Sequence, residues 1–86
     1  MGPPQWADVG MLMQTVMLLA VEAGLDTCPQ EIWARWPRTI GRFLQLPEEE
    51  MVFAGMSMGY RDAGHPLNQS RTSRAPFEAV GRLVGF

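Results

Sequence analysis

At 86 residues, the chain is one small domain or a piece of one. With 47% apolar and 19% charged residues its composition is globular, not disordered, and a formal net charge of −2 offers no basic excess for nucleic acid or an anionic membrane surface. Its one cysteine, Cys28, excludes an internal disulfide and suits a reducing, cytoplasmic setting.

Gly2-Pro3-Pro4 reads as a rigid, non-helical lead-in, and the N-terminus lacks the basic start and apolar core of a secretion signal. Asp8 suits the N-cap or first turn of a long helix, where a carboxylate meets free amides. Val9, Leu12, Val16, Leu19 and Ala23 recur at intervals of three and four, which predicts a helix over 9–23. Met13, Met17 and Ala20 widen that face until only Asp8, Thr15 and Glu22 form a polar stripe. Such a helix expects cover on several sides. Its most apolar stretch, 11–21, is too short to cross a bilayer. Gly24 ends it.

Thr27-Cys28-Pro29-Gln30 has the spacing of a capping box and predicts a second helix carrying Ile32, Trp33 and Trp36. Pro37 cuts that helix, biases Trp36 away from helical angles, and starts a third with Ile40, Phe43 and Leu44 on one side. Residues 51–60, MVFAGMSMGY, are almost continuously apolar and predict a strand buried on both faces. Gly55 and Gly59 would admit another backbone, and the strand's partners are expected outside this chain. Residues 61–75 are polar and turn-rich; 76–80 can form a helical turn. The apolar tail Leu83-Val84-Gly85-Phe86 has no evident home.

Three segments, in this order and spacing, resemble the nitroreductase family. They are DVGMLMQTVMLLAVEAGLDTCPQE, the strand MVFAGMSMGY, and the arm HPLNQSRTSRAPFEAVGRLVGF, the last similar to nitroaromatic and nitrobenzoate reductases. The resemblance implies an α+β fold, the C-terminal part of that family's α/β sandwich. It would hold a long central helix, two short helices broken at Pro37, one buried strand at about 51–59 and an extended C-terminal arm. The whole chain, 1–86, is then a partial domain, helical over 6–46, with a strand over 51–60 and the arm over 61–86.

The resemblance further implies FMN as cofactor, NAD(P)H as reductant and a nitro compound, quinone or similar acceptor. Family members are homodimers, with flavin at the interface and the arm wrapped on the other subunit. Either a second copy or an N-terminal portion would cover the apolar helix and tail. Alone, the chain is expected to hold FMN weakly, if at all, and to self-associate. The alternative is a non-enzymatic dimerisation or interaction module. A DNA-binding helical protein is disfavoured by the acidic charge.

By resemblance, a basic residue of the arm grips the FMN phosphate. Arg71 lies nearer the family position, Arg74 is the alternative, and Asn68 could donate to the same group. On spacing alone, Arg71 and Arg74 are two solvated arginines. Pro29, Gln30 and Glu31 correspond to the segment at the flavin ring, where a backbone N–H stabilises charge on the reduced ring. Ile32 stands where one common pattern has glycine. Trp33, Trp36 and Phe43 either line a substrate channel or pack as core. The methionines read as packing, His65 as a surface residue and Cys28 as an inert, buried thiol. No residue is assigned catalysis and no metal ligands are evident, because the cofactor supplies the hydride chemistry.

Overall fold

The computed structural model describes residues 2–86. Its elements are α1 (Pro3–Glu22), β1 (Asp26–Gln30), a 3-10 turn (Glu31–Arg35), α2 (Pro37–Leu44), β2 (Gly55–Gly59), a second 3-10 turn (Pro66–Gln69) and α3 (Phe77–Val80). The class is α+β, as expected.

Helix α1 is about 30 Å long at 1.5 Å per residue. It starts five residues before Asp8, so Asp8 is neither N-cap nor first turn. Pro3 and Pro4 are its first two residues, contrary to the non-helical lead-in expected from them. A first turn needs no intrahelical N–H, so prolines cost nothing there. Gln5 instead caps the start: its Oε1 accepts from the Gly2 N–H at 2.8 Å. At the other end Gly24 adopts φ +82°. Leu25 N–H donates to Ala20 O at 2.8 Å and Gly24 N–H to Val21 O at 3.0 Å, the paired bonds of a Schellman stop.

The chain then enters β1, not the helix expected from Thr27. Residues Asp26–Gln30 pair antiparallel with Gly55–Gly59, Asp26 opposite Gly59 and Gln30 opposite Gly55. The capping-box spacing is overridden by a ladder with residues about thirty positions away. Pro29 is tolerated because each strand of a two-stranded sheet is an edge. The strand expected over 51–60 is shorter, has its partner inside the chain, and is half-buried to exposed rather than covered on both faces. Gly55 is approached by the Trp33 indole, not by a backbone, and Gly59 faces open space.

Pro37 opens α2 as predicted, with Trp36 held at φ −122°, ψ 59°. The helix ends on Gln45 in the left-handed region, φ 57°. Leu46 N–H donates to Gly41 O at 2.8 Å and Gln45 N–H to Arg42 O at 3.3 Å, the same stop built without glycine. The predicted turn at 76–80 is α3. Every residue of the arm, 61–86, is exposed.

Little of the apolar surface is covered. Ala20 is the one buried hydrophobic residue among those described, while Phe43 is 84% and Phe86 fully exposed. The accessible surface is 7984 Å². A folded monomer of 9.6 kDa exposes roughly 5,100 Å². The radius of gyration is 16.9 Å, against about 12 Å for a compact domain of this length. The wide apolar face read from α1 is therefore real and stands open in this chain.

Candidate functional site

The β1–β2 ribbon carries two unlike faces. Side chains alternate along a strand, so Asp26, Cys28 and Gln30 share a face with Gly59, Ser57 and Gly55. Thr27, Pro29, Met56 and Met58 occupy the other. The first face is small and polar, and hydrogen-bonded clusters sit at both its ends.

At one end Arg61 meets Asp26. Its Nη2 and Nε donate to Asp26 Oδ1 at 2.7 and 3.0 Å, and its backbone N–H donates to Oδ2 at 3.2 Å. This is the one ion pair among the described residues. The guanidinium's hydrogen bonds, then the backbone N–H, hold the Asp26 carboxyl below its ordinary 3.8, outweighing slight desolvation. The same carboxylate raises the Arg61 guanidinium. Both groups face water, so the pair fixes register more than it adds stability.

At the other end sits Gln30. Its Oε1 accepts from Trp33 Nε1 at 2.9 Å and from Ser57 Oγ at 3.1 Å. Ser57 is the diagonal neighbour of Gln30 across the ladder, and Trp33 reaches back from the 3-10 turn. The indole lies over Gly55, where an added Cβ would overlap Trp33 Cδ1 and sit 3.1 Å from Nε1. Gln30 and Trp33 also border a cavity of about 450 Å³ walled by Ile40, Phe43 and Leu44 of α2 and by Val52 and Met56. Of the three aromatic candidates, Trp33 and Phe43 line this cavity. Trp36 instead precedes α2, its carbonyl accepting from Ile40 N–H at 3.0 Å.

The three residues singled out around position 30 diverge. Gln30 lies on the polar face, Pro29 opposes Met56 on the other, and Glu31 turns outward at the start of the 3-10 turn. Arg71 and Arg74 share a separate concavity of about 350 Å³ with Ser70 and Thr72. Arg74 Nη1 folds onto its own loop, donating to Thr72 Oγ1, Thr72 O and Ser73 O. Asn68 Nδ2 donates to Asp62 O at 2.7 Å and so shapes the loop. His65, exposed as read, accepts from Leu67 N–H through Nδ1 at 3.2 Å. Cys28 is a free, exposed thiol rather than a buried one. Among the described residues no three His, Cys, Asp or Glu side chains are placed to hold a metal, and no helix is long and apolar enough to cross a membrane.

Sequence reasoning passed over Asp26, Ser57 and Arg61. Each acquires its role from a partner 27 to 35 residues away, and no local pattern marks them.

A family model described as the nitroreductase family matches residues 3–60, more than half of the chain. A 4-nitrobenzoate reductase of Pseudomonas putida is 38% identical over 81 residues, covering 94% of this chain and 36% of the relative. A chloronitrobenzene nitroreductase of Comamonas testosteroni is 40% identical over 83 residues, covering 93% and 37%. Among solved structures, the FMN and NADPH-dependent nitroreductase NfnB from sphigopyxis sp. strain HMH superposes with a TM-score of 0.93 at 44% identity. That likeness covers 100% of this chain and 39% of the other. The chain thus spans a little over a third of the length of the curated relatives it matches.

Proposed function

Since the chain belongs to the nitroreductase family, we propose that it forms part of an FMN-dependent reductase that passes reducing equivalents from NAD(P)H to a nitroaromatic or quinone acceptor. The observation that carries this reading is the superposition, over the whole chain, on a nitroreductase that uses FMN and NADPH. FMN would supply the hydride chemistry. The residues of the chain would hold and tune it.

The donor chemistry fits the phosphate. Arg71 and Arg74 bring two guanidiniums, and Ser70 and Thr72 two hydroxyls, to one exposed concavity. Such groups make paired, charge-assisted hydrogen bonds to phosphate oxygens. Asn68 Nδ2 and Arg74 Nη1 are already engaged within the loop, which makes Arg71 the stronger candidate. At the ring, the reading uses the backbone of Pro29, Gln30 and Glu31, with a fixed N–H favouring charge that builds on reduction.

The reading also includes a homodimer. About 2,900 Å² of surface beyond that of a compact monomer is the scale of a large, permanent interface. Further polypeptide of the same protein, over 1–86 and beyond as one domain, would cover it equally well. A cytoplasmic setting, where NAD(P)H is maintained and thiols stay reduced, suits the lone Cys28.

FMN fluorescence, followed as protein concentration is raised through the range of self-association, tests the proposal. Quenching that grows with oligomerisation supports flavin in the seam between copies, and NADPH oxidation on adding a nitroaromatic supports the reductase. A stable oligomer that leaves FMN untouched at millimolar protein, and still does so when the N-terminal portion of a relative is supplied, refutes it and favours an interaction module.

A further inference from the structure

Gln30 carries one acceptor and two donors on its carboxamide, and its surroundings decide which of them is offered to a ligand. The atom 2.9 Å from Trp33 Nε1 is an oxygen of necessity, because an indole nitrogen only donates. With that oxygen placed, the Ser57 hydroxyl at 3.1 Å also donates to it. Both lone pairs of Oε1 are then occupied, and no described residue accepts the Nε2 hydrogens. Gly55 completes the arrangement by leaving room for the indole.

We propose that Trp33 and Ser57 are positioning residues that lock the Gln30 carboxamide, so that it presents N–H donors, never its carbonyl, to acceptor atoms of the flavin ring. The inference rests on the flavin reading above. It assigns to this side chain a choice that the backbone cannot make: a ring atom gaining electron density on reduction meets a donor held in place beforehand. The side chain is half-buried, which keeps it reachable while its two hydrogen-bond partners restrain it.

The test is an NMR titration of the isotopically labelled chain with FMN, a method that reads weak binding. Wild type is compared with the double variant Trp33→Phe/Ser57→Ala, with Ser57→Thr and with Gln30→Glu. In wild type the Trp33 indole proton exchanges slowly, and both Gln30 side-chain amide protons shift as FMN is added. In the double variant the carboxamide turns over freely. With its two orientations equally populated, apparent Kd rises about two-fold. Ser57→Thr keeps a hydroxyl and retains wild-type behaviour, which a merely structural role for Ser57 does not require. Gln30→Glu, with a carboxylate in place of donors, weakens binding more than the double variant does.

FMN binding that leaves the Gln30 protons unmoved overturns this proposal while the flavin reading stands. A freely exchanging indole proton in wild type overturns the lock. A wild-type chain that ignores FMN even when the N-terminal portion of a relative is supplied overturns both readings.

Discussion

Replacing Gly55 by alanine adds a single methyl group, and the structure places that methyl in overlap with Trp33 Cδ1 at the edge of the indole. The backbone is not the obstacle, since Gly55 is not among the positive-φ glycines. The indole has to move, and with it the hydrogen bond to Gln30. Overpacking of this kind costs about 1–3 kcal/mol, and the lost hydrogen bond about 1 kcal/mol. Alanine returns about 0.4–1 kcal/mol by restricting the unfolded chain. Gly55→Ala should therefore destabilise by about 1–3.5 kcal/mol. For a chain of this size each kcal/mol lowers Tm by about 4–8 °C. Thermal unfolding followed by circular dichroism gives the shift, and tryptophan emission reports the displaced ring. Trp33→Leu in the same background should recover much of the loss, because two residues in contact do not add independently. An alanine variant with unchanged Tm and unchanged emission refutes the reasoning.

Gln45 holds a left-handed conformation that costs a non-glycine residue roughly 1–2 kcal/mol. Gln45→Gly, less the entropy glycine carries when unfolded, should raise stability by about 0.5–1 kcal/mol in urea unfolding. The Asp26–Arg61 pair makes stability depend on acid. Because the folded Asp26 value is lowered from 3.8, the pair's contribution is complete above that value and disappears as pH falls through the lowered one. Asp26→Asn should flatten that acid limb in Tm measured against pH, and a variant retaining the limb contradicts the assignment. Arg71→Ala and Arg74→Ala should each weaken FMN binding roughly ten- to a hundred-fold by loss of a charge-assisted bond, with riboflavin affinity unchanged. Equal losses for both flavins remove the phosphate from the argument.

What the sequence made legible was whatever a few neighbouring residues decide. Gly24 and Pro37 mark their helix boundaries because backbone conformation at glycine and proline is set locally. The spread of apolar residues around α1 announced that the helix needs cover, and its side chains stand exposed. The misreading at Thr27 has a physical source. Thr27, Pro29 and Gln30 satisfy a helix start as well as a strand, and only the ladder to Gly55–Gly59 decides between them. Gly55 shows the same limit, since its spacing forecast a close neighbour but not that the neighbour would be an indole. The candidate flavin residues Arg71, Arg74 and Gln30 came from the family resemblance, since on spacing alone the two arginines read as solvated surface. The contacts of Gln30 were not legible at all, because Ser57 is anonymous until the pairing aligns it.

The two margins of the ribbon differ in their capacity for growth. Pro29 has no N–H, so the outer side of β1 is a poor template for another strand. Gly55–Gly59 carries no such block. Strand addition, whether productive assembly or aggregation of stray copies, should then enter along β2. A proline or lysine set into that margin offers a means to suppress the second without touching the arm.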